Sequence, residues 1–362
     1  MNIGIEGFPF QKNPGGIGKY FQALVRLLIY KFPDANFFIY SNKDVFLPDD
    51  FVDKVKIVQD KSVFRHLPTT VWLKTLAGFT ISKNNLDFYF SGAGFLPYLK
   101  KKTKKVILVH DLNFKIVPQT MGRLNFLSHF LFLKKDVKKS DYIIVNSIGT
   151  SEKVLTYFRK RVDIVINPPT DSRFRKLPQS ETKAVLYKYG INYPYLLVVG
   201  TLEPRKNLQM TINVFIKLIG QGKINGLKLV IVGSSGWRNK GIIDLCEKYK
   251  KDIICLGYVD DIDLPALYNG ALAFLFPSIY EGFGMPAREA LYCGCQIITS
   301  DLVELRESCQ NQAIFINPKQ SEDFEKSILF ALKNSEKYNY EISERLESDT
   351  ASFLNFFVDK SL

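Results

Sequence analysis

The sequence predicts an α/β protein made of two doubly wound, parallel-sheet domains. Three observations carry this reading. At 362 residues the chain exceeds the roughly 250–300 at which a single hydrophobic core stops growing. Short apolar runs of strand length alternate with helical patterns throughout. The alternation pauses at Pro168-Pro169 and a polar stretch running through Pro178 to Thr182, then begins again. The domains are therefore placed at 1–178 and 179–345, with 346–362 as a terminal segment, and Ala351–Leu362 is aromatic-rich and helical in pattern.

The first block opens with a strand at Ile3–Glu6 and a helix at Lys19–Lys31, followed by strands at Asn36–Tyr40, Val55–Val58, Phe88–Ser91, Val106–Val109, Tyr142–Val145 and Ile164–Ile166. These runs are rich in β-branched and aromatic residues and read as nearly continuous apolar segments, as parallel strands covered on both faces do. Between them, Arg123–Lys135 is apolar and flanked by positive charge; it reads either as a peripheral attachment to an anionic membrane or as a buried helix, since three phenylalanines and four leucines suffice to fill one side of a core. The second block repeats the pattern with strands at Tyr195–Val199, Lys228–Val232, Ile253–Leu256, Ala273–Phe276 and Gln296–Thr299. Folds of this kind bind ligands at the carboxyl ends of their strands.

Composition removes several function classes. The chain is 46% apolar and 23% charged, so it is not a disordered tail. Its apolar runs are far shorter than the roughly 18 residues a membrane-spanning helix needs, and its start lacks the basic and apolar regions of a signal peptide. The five cysteines, Cys246, Cys255, Cys293, Cys295 and Cys309, form no CxxC pair, and only three histidines accompany them. Buried free thiols in a reducing cytoplasm are the expectation, and no metal module. Net charge is +13, and residues 1–178 carry 29 basic against 14 acidic side chains. The basic half suggests an anionic partner: nucleic acid, an acidic membrane or a phosphorylated substrate. No RNP, zinc or helix-turn-helix signature accompanies the charge, so nucleic acid is not expected.

Two segments look chemical. Asn13-Pro14-Gly15-Gly16-Ile17-Gly18 joins the first strand to the first helix, where glycines allow close approach to a phosphate or sugar. It is not GxGxxG, and the second strand ends at Tyr40-Ser41-Asn42 without the acid that holds a dinucleotide's ribose, so an NAD enzyme is not expected. In Ser278–Glu289 an apolar strand is followed by Glu281, Gly282 and Gly284, and then by a short helix of about two turns from Pro286, which Gly294 ends. Accessible N–H groups at that turn suit a diphosphate, and the carboxylates of Glu281 and Glu289 suit sugar hydroxyls on either side of it. Asp261-Ile262-Asp263 spells a D-x-D metal motif, but it precedes Leu264–Tyr268 and reads as a helix cap.

Tyr280–Gly294, YEGFGMPAREALYCG, resembles the E-x7-E motif of retaining glycosyltransferases of family 4, which have the two-Rossmann-domain GT-B fold. GGIGKY at Gly15–Tyr20, His110-Asp111, NSIGTSEKV at Asn146–Val154 and GTLEPRKNL at Gly200–Leu208 follow in the expected order. VGSSGW at Val232–Trp237, LGYVDDIDLPALY at Leu256–Tyr268 and SDLVELRE at Ser300–Glu307 complete the series. The resemblance implies that Arg205 and Lys206 neutralise the diphosphate of a nucleotide sugar, and that Glu289 binds the ribose. Glu281 and the backbone of Phe283, Gly284 and Met285 would hold the donor sugar, and Gly257, Tyr258 and Val259 would lie near the base. Gly15 and Gly16 would also contact the donor, and His110 would stand near the reacting centre. The implied enzyme is a retaining, metal-independent hexosyltransferase with no cofactor. It is expected to move mannose from GDP-mannose to a saccharide or lipid-linked saccharide in polysaccharide or lipopolysaccharide synthesis. The expected location is cytoplasmic, peripheral on the inner face of the membrane through an anionic lipid surface. A synthase of the same superfamily acting on a soluble sugar or sugar phosphate, and a non-catalytic nucleotide-sugar or nucleic-acid binder, are the alternatives. The terminal helix would cross back to the first domain.

Overall fold

The computed structural model describes residues 1–11, 15–234, 236, 240–334, 340 and 351–358. Asn13 and Pro14 of the first glycine segment, Trp237 of VGSSGW, and residues 346–350 and 359–362 of the terminal segment lie outside the described residues. The chain divides into two units: residues 1–115, 123–169 and 344–362 form one, and 116–122 with 170–343 the other.

Unit 1 holds a parallel sheet of seven strands, β1 (Asn2–Glu6), β2 (Asn36–Ser41), β3 (Val55–Gln59), β4 (Phe88–Ser91), β5 (Lys104–Val109), β6 (Tyr142–Val145) and β7 (Ile164–Val165). Their order is β3-β2-β1-β4-β5-β6-β7, with Ile3 opposite Phe88 and Ile5 opposite Phe90. The order turns back between β1 and β4, so the crossovers leave in opposite directions there and open a crevice at the strands' carboxyl ends. The first helix, Gly15–Lys31, starts four residues before the expected Lys19 and buries Phe21, Leu24, Val25 and Leu28 against the sheet. A helix over 351–358 belongs to the same unit; Phe353 and Phe357 are fully buried, with Phe357 5.7 Å from Phe88 and 6.0 Å from Phe90 between ring centroids.

Unit 2 repeats the design with six parallel strands, β8 (Tyr195–Val199), β9 (Lys228–Val232), β10 (Ile253–Gly257), β11 (Ala273–Phe276), β12 (Ile297–Ser300) and β13 (Ile314–Ile316). The order β10-β9-β8-β11-β12-β13 turns back between β8 and β11. Leu196 and Val198 point into one core and Tyr195, Leu197 and Val199 into another. Both faces are covered, which is why these strands read as unbroken apolar runs.

Four expectations need correction. The division falls after Pro169 and not at 178, because Phe174 packs edge-on against Tyr268 and the Leu177 amide donates to Asn269 Oδ1 at 2.9 Å, both within unit 2. Strand β13 was missed; three residues give periodicity little to work on. The segment Arg123–Lys139 is no buried helix: it runs as Arg123–Ser128, a π turn at His129–Leu133, and Lys134–Lys139. Leu124 is 84% exposed and Phe130 59%, while of the segment's leucines and phenylalanines only Leu133 is buried. Asp263 stands at the N-cap of Leu264–Gly270, but its side chain makes no cap bond. Its carboxylate instead accepts from Lys188 Nζ at 2.6 Å and Tyr189 Oη at 2.8 Å. Of the cysteines, Cys255 is exposed and the other four are buried.

Candidate functional site

The turn that leaves β8 carries three charges in four residues. Glu203 is extended, and Arg205 and Lys206 lie in a single 3-10 turn at Pro204–Lys206. The loop that leaves β11 carries Glu281. Sheet order places these two loops side by side at the carboxyl edge, and one backbone and one side-chain bond stitch them together: the Ile279 amide donates to Arg205 O at 2.9 Å and Arg205 Nη1 to Tyr280 O at 2.8 Å. Arg205 Nε and Nη2 both donate to Glu203 Oε1, at 3.0 and 2.6 Å. Glu281 faces two cations, with Oε2 2.6 Å from Arg205 Nη1 and Oε1 2.8 Å from Lys206 Nζ.

This cluster is nearly dry. The side chains of Glu203 and Glu281 are 6% and 7% exposed, and that of Lys206 is 10% exposed. Burial alone would raise the Glu281 carboxyl, but Arg205 and Lys206 outweigh it and hold it down at about 2. Burial pushes the Lys206 ammonium down, against the pull of Glu281. Its Nζ also sits 4.4 Å from the centroid of the Phe276 ring.

Gly284 ends the β11 loop in the left-handed region, φ +95°, and begins the helix Met285–Tyr292. The dihedral angle favours glycine, and a Cβ there would lie 2.4 Å from Leu305 Cδ2, so that side chain would have to shift. Ser308 Oγ donates to Gly284 O at 2.8 Å, and the buried Arg288 donates to the carbonyls of Ser308 and Glu307, which fixes the helix against Val303–Ser308. Phe283 is buried beneath the Arg288 guanidinium. On the helix, Glu289 accepts from Tyr268 Oη at 3.0 Å. Gly257 ends β10 at φ +70° and its carbonyl accepts the Gly233 amide at 2.8 Å; Tyr258 is exposed and Val259 buried.

Unit 1 has a site of its own at the corresponding place. A cavity of about 270 Å³ lies at the carboxyl ends of β1 and β5, with Glu6, Thr69, His110, Asp111, Asn125 and His129 among its polar lining. Glu6 Oε2 accepts from Ser91 Oγ at 2.9 Å and the Ala93 amide at 2.8 Å, which ties β1 to β4 across the point where the strand order reverses. Burial pushes the Glu6 carboxyl up to about 7, against the bonds from Ala93 and Ser91. Burial pushes His110 down, against the bond to Gly92, and its Nε2 lies 2.6 Å from Gly92 O, with Tyr20 edge-on at 5.9 Å.

Arg205, Lys206 and Glu281 thus meet in one cluster of unit 2, while Phe283, Gly284, Met285 and Glu289 follow in the loop and helix beside it. Gly257, Tyr258 and Val259 lie along the same sheet edge. His110 belongs to the unit 1 cavity. Gly15 and Gly16 belong to unit 1 as well, at the start of its first helix with open space where a Cβ would stand. Sequence reasoning missed two acids. Glu203 sits two residues before Arg205 in a motif already singled out. Glu6 was marked only as a strand end, although a lone carboxyl closing the apolar run Ile3–Ile5 is itself a signal.

The glycosyl transferases group 1 family profile matches residues 187–346. The chain is 28% identical over 256 residues to the O-antigen chain mannosyltransferase B of Escherichia coli, covering 68% of this chain and 66% of that protein. It is 26% identical over 262 residues to the Escherichia coli serotype-specific mannosyltransferase WbdA, covering 69% of this chain and 32% of that protein. The match therefore spans just under two thirds of the first relative and about a third of the second. Two solved structures share the fold. The sucrose-phosphate synthase of Thermosynechococcus elongatus has a TM-score of 0.70 at 16% identity, covering 98% of this chain and 94% of that one. WaaG, a glycosyltransferase of lipopolysaccharide biosynthesis, has a TM-score of 0.70 at 15% identity, covering 99% and 95%. The fold of this protein is GT-B, and over residues 187–346 the chain carries a domain of the glycosyl transferases group 1 family.

Proposed function

We propose that the protein is a hexosyltransferase of cell-surface polysaccharide or lipopolysaccharide assembly, using a nucleotide sugar, with GDP-mannose as the first candidate donor. The observation that carries this reading is the Glu203–Arg205–Lys206–Glu281 cluster at the strand-order reversal of unit 2. Arg205 offers a forked donor and Lys206 a point charge, the two forms in which proteins hold phosphate. The amino terminus of the helix Met285–Tyr292, the positive end of its dipole, follows Glu281 in the same loop. The mannosyltransferase names of the relatives support the sugar and the pathway class.

In this reading an acceptor hydroxyl attacks the anomeric carbon as the bond to the diphosphate breaks. A phosphate oxygen takes the hydroxyl proton from the same face, so configuration is retained. Both oxygens of Glu281 are engaged by cations, which makes it their counter-ion and not a nucleophile. Arg205 and Lys206 supply the charge stabilisation that the leaving diphosphate needs, so turnover does not depend on a divalent ion.

Thermal unfolding of wild type and Glu289→Ala with GDP, UDP, dTDP and ADP in EDTA tests the donor site. A nucleotide at about 100 times its Kd stabilises by about 2.7 kcal/mol. The expected result is one nucleotide that shifts wild type and not the variant. No shift from any nucleotide overturns the reading, and turnover lost in EDTA and restored by magnesium overturns metal independence.

The exposed apolar residues Leu124, Leu127, Phe130 and Leu131, with Arg123 and Lys134, Lys135, Lys138 and Lys139 around them, support peripheral attachment to an anionic membrane. No described helix is long and apolar enough to cross a membrane. Flotation with vesicles containing anionic lipid should carry the protein upward at low salt and lose it at high salt; no salt-sensitive binding removes this attachment.

A further inference from the structure

We propose that Glu281 takes up a proton from solvent when a nucleotide sugar binds: the diphosphate draws Arg205 and Lys206 off its two oxygens, and the buried carboxyl, left without a cation, becomes neutral. The inference rests on the transfer reading above and adds how the same site answers to its ligand's charge.

The cluster is balanced before any ligand arrives. Two cations, Arg205 and Lys206, face two carboxylates, Glu203 and Glu281, and the four side chains are between 6% and 19% exposed. The diphosphate of a nucleotide sugar, esterified at both ends, brings two further negative charges and no group that titrates near neutrality. Its arrival would set four negative charges against two positive ones, with little water to absorb the difference. A proton relieves the imbalance, and the geometry says which carboxyl receives it.

Glu203 and Glu281 hold the cations differently. Glu203 belongs to the same turn as Arg205 and takes its Nε and Nη2 on one oxygen, at 3.0 and 2.6 Å. Glu281 reaches in from the β11 loop and is the one of the two that is paired with both cations, one to each oxygen: Arg205 Nη1 at 2.6 Å and Lys206 Nζ at 2.8 Å. An anion that claims Lys206 and the Nη1 corner of Arg205 therefore removes both of the charges that keep Glu281 ionised, while the Nε edge of Arg205 stays with Glu203.

The chain also shows what a carboxyl does at such a place without close cations. Glu6 is comparably buried. Its close partners are neutral, Ser91 Oγ and the Ala93 amide, and Lys74 is the weakest influence on it. Burial pushes it up to about 7. Glu281 meets the same cost of burial and sits at about 2 because Arg205 and Lys206 outweigh it. With both drawn to phosphate and negative charge added beside it, burial governs and the carboxyl rises towards the range of Glu6. When the diphosphate leaves, the cations return to Glu281 and the proton to solvent, so the carboxylate competes with the product for the cations that hold it.

The other charged or titratable groups on the packed elements have partners of their own. Glu289 accepts from Tyr268 Oη, Arg288 donates to the carbonyls of Ser308 and Glu307, and Glu304 is buried on Val303–Ser308. Lys206, which burial pushes down, is the second group whose proton responds to an anion, and the test separates the two.

The test uses the full chain in EDTA with GDP-mannose, UDP-glucose, dTDP-glucose and ADP-glucose as probes. Isothermal titration calorimetry at pH 6.5 in PIPES and in imidazole counts the protons exchanged. The probe that binds should bring in more than about half a proton per site, and should bind about tenfold more weakly at pH 8 than at pH 6. Difference infrared spectra of that complex should gain the C=O stretch of a protonated carboxyl, shifted when glutamate is labelled with carbon-13. Glu281→Gln should lose the band, the proton uptake and the pH dependence, and Glu203→Gln should keep the band. Binding without proton uptake overturns the proposal. So does uptake without a glutamate band, which puts the proton on Lys206, and so does a band that survives Glu281→Gln or is lost in Glu203→Gln; the last reading stands even if Glu281→Gln does not fold. If no probe binds at any pH, the transfer reading falls together with this one, whereas binding without uptake removes this inference and leaves transfer in place.

Discussion

The two units solve one topological problem with opposite chemistry. In each, a parallel sheet reverses its strand order, between β1 and β4 in unit 1 and between β8 and β11 in unit 2, and in each the reversal carries a buried carboxyl. Glu6 has neutral hydrogen-bond donors and is pushed up to about 7, whereas Glu281 has Arg205 and Lys206 and is held down at about 2. The fold supplies the place, and the neighbours of the carboxyl decide whether it is held up or held down. Net charge alone misleads here. The more basic half of the chain carries the buried carboxyl with neutral donors, and the nearly neutral half carries the buried cluster of Arg205, Lys206 and Glu281.

The comparison can be broken from either side. The largest expected effect is structural: Phe357→Ala empties a site packed on Phe88 and Phe90 and should cost unit 1 about 3–5 kcal/mol. Hydrogen exchange should quicken in peptides from β4 and β5 and not in those from β8 and β11; equal acceleration in both would end the separate treatment of the units.

Arg205→Ala should lower turnover by about 10²–10³-fold, the scale for removing one charge-stabilising donor. It also leaves Glu203 and Glu281 buried beside a single cation, so unfolding should move to lower temperature as well. A variant with normal turnover would show that the cluster is structural only.

The two carboxyls should bend stability in opposite directions with pH. For Glu6 the folded value lies above the usual 4.5; its contribution is full below about 4.5 and is lost as pH rises through about 7. Glu6→Gln should therefore gain on wild type by about 3 kcal/mol between pH 4.5 and 8. For Glu281 the folded value lies below 4.5, so its contribution is present above that pH and is lost as pH falls towards 2. Denaturant titrations of both Gln variants across this range check the signs. Parallel profiles would sink the comparison.

The smallest effect sharpens it. Tyr268→Phe removes the hydroxyl that donates to Glu289, and should weaken nucleotide binding by about 1 kcal/mol while leaving the pH profile set by Glu6 unchanged.

Much of this was legible along the chain. Twelve of the strands fell within a residue or two of their expected positions, since strands covered on both faces announce themselves as apolar runs. Glu281 stood out as a carboxylate in the glycine loop that follows such a run, and Arg205 and Lys206 stood out through the family resemblance of GTLEPRKNL. Glu203 and Glu6 did not, since a single acid has no period and its meaning lies in its partners. The buried-helix reading of Arg123–Lys135 failed for a related reason: hydrophobicity shows that a face wants cover, not that this unit covers it.

The sequence by itself determined the double α/β alternation and the residue types at the strand ends, because these depend on local propensity and periodicity. Only the tertiary structure decided which charges meet. The Arg205–Glu281 pair closes across 76 positions of sequence and the Glu6–Ser91 bond across 85. Such contacts exist because sheet order brings distant loops together, and so do the shifts that set one carboxyl near 7 and the other near 2.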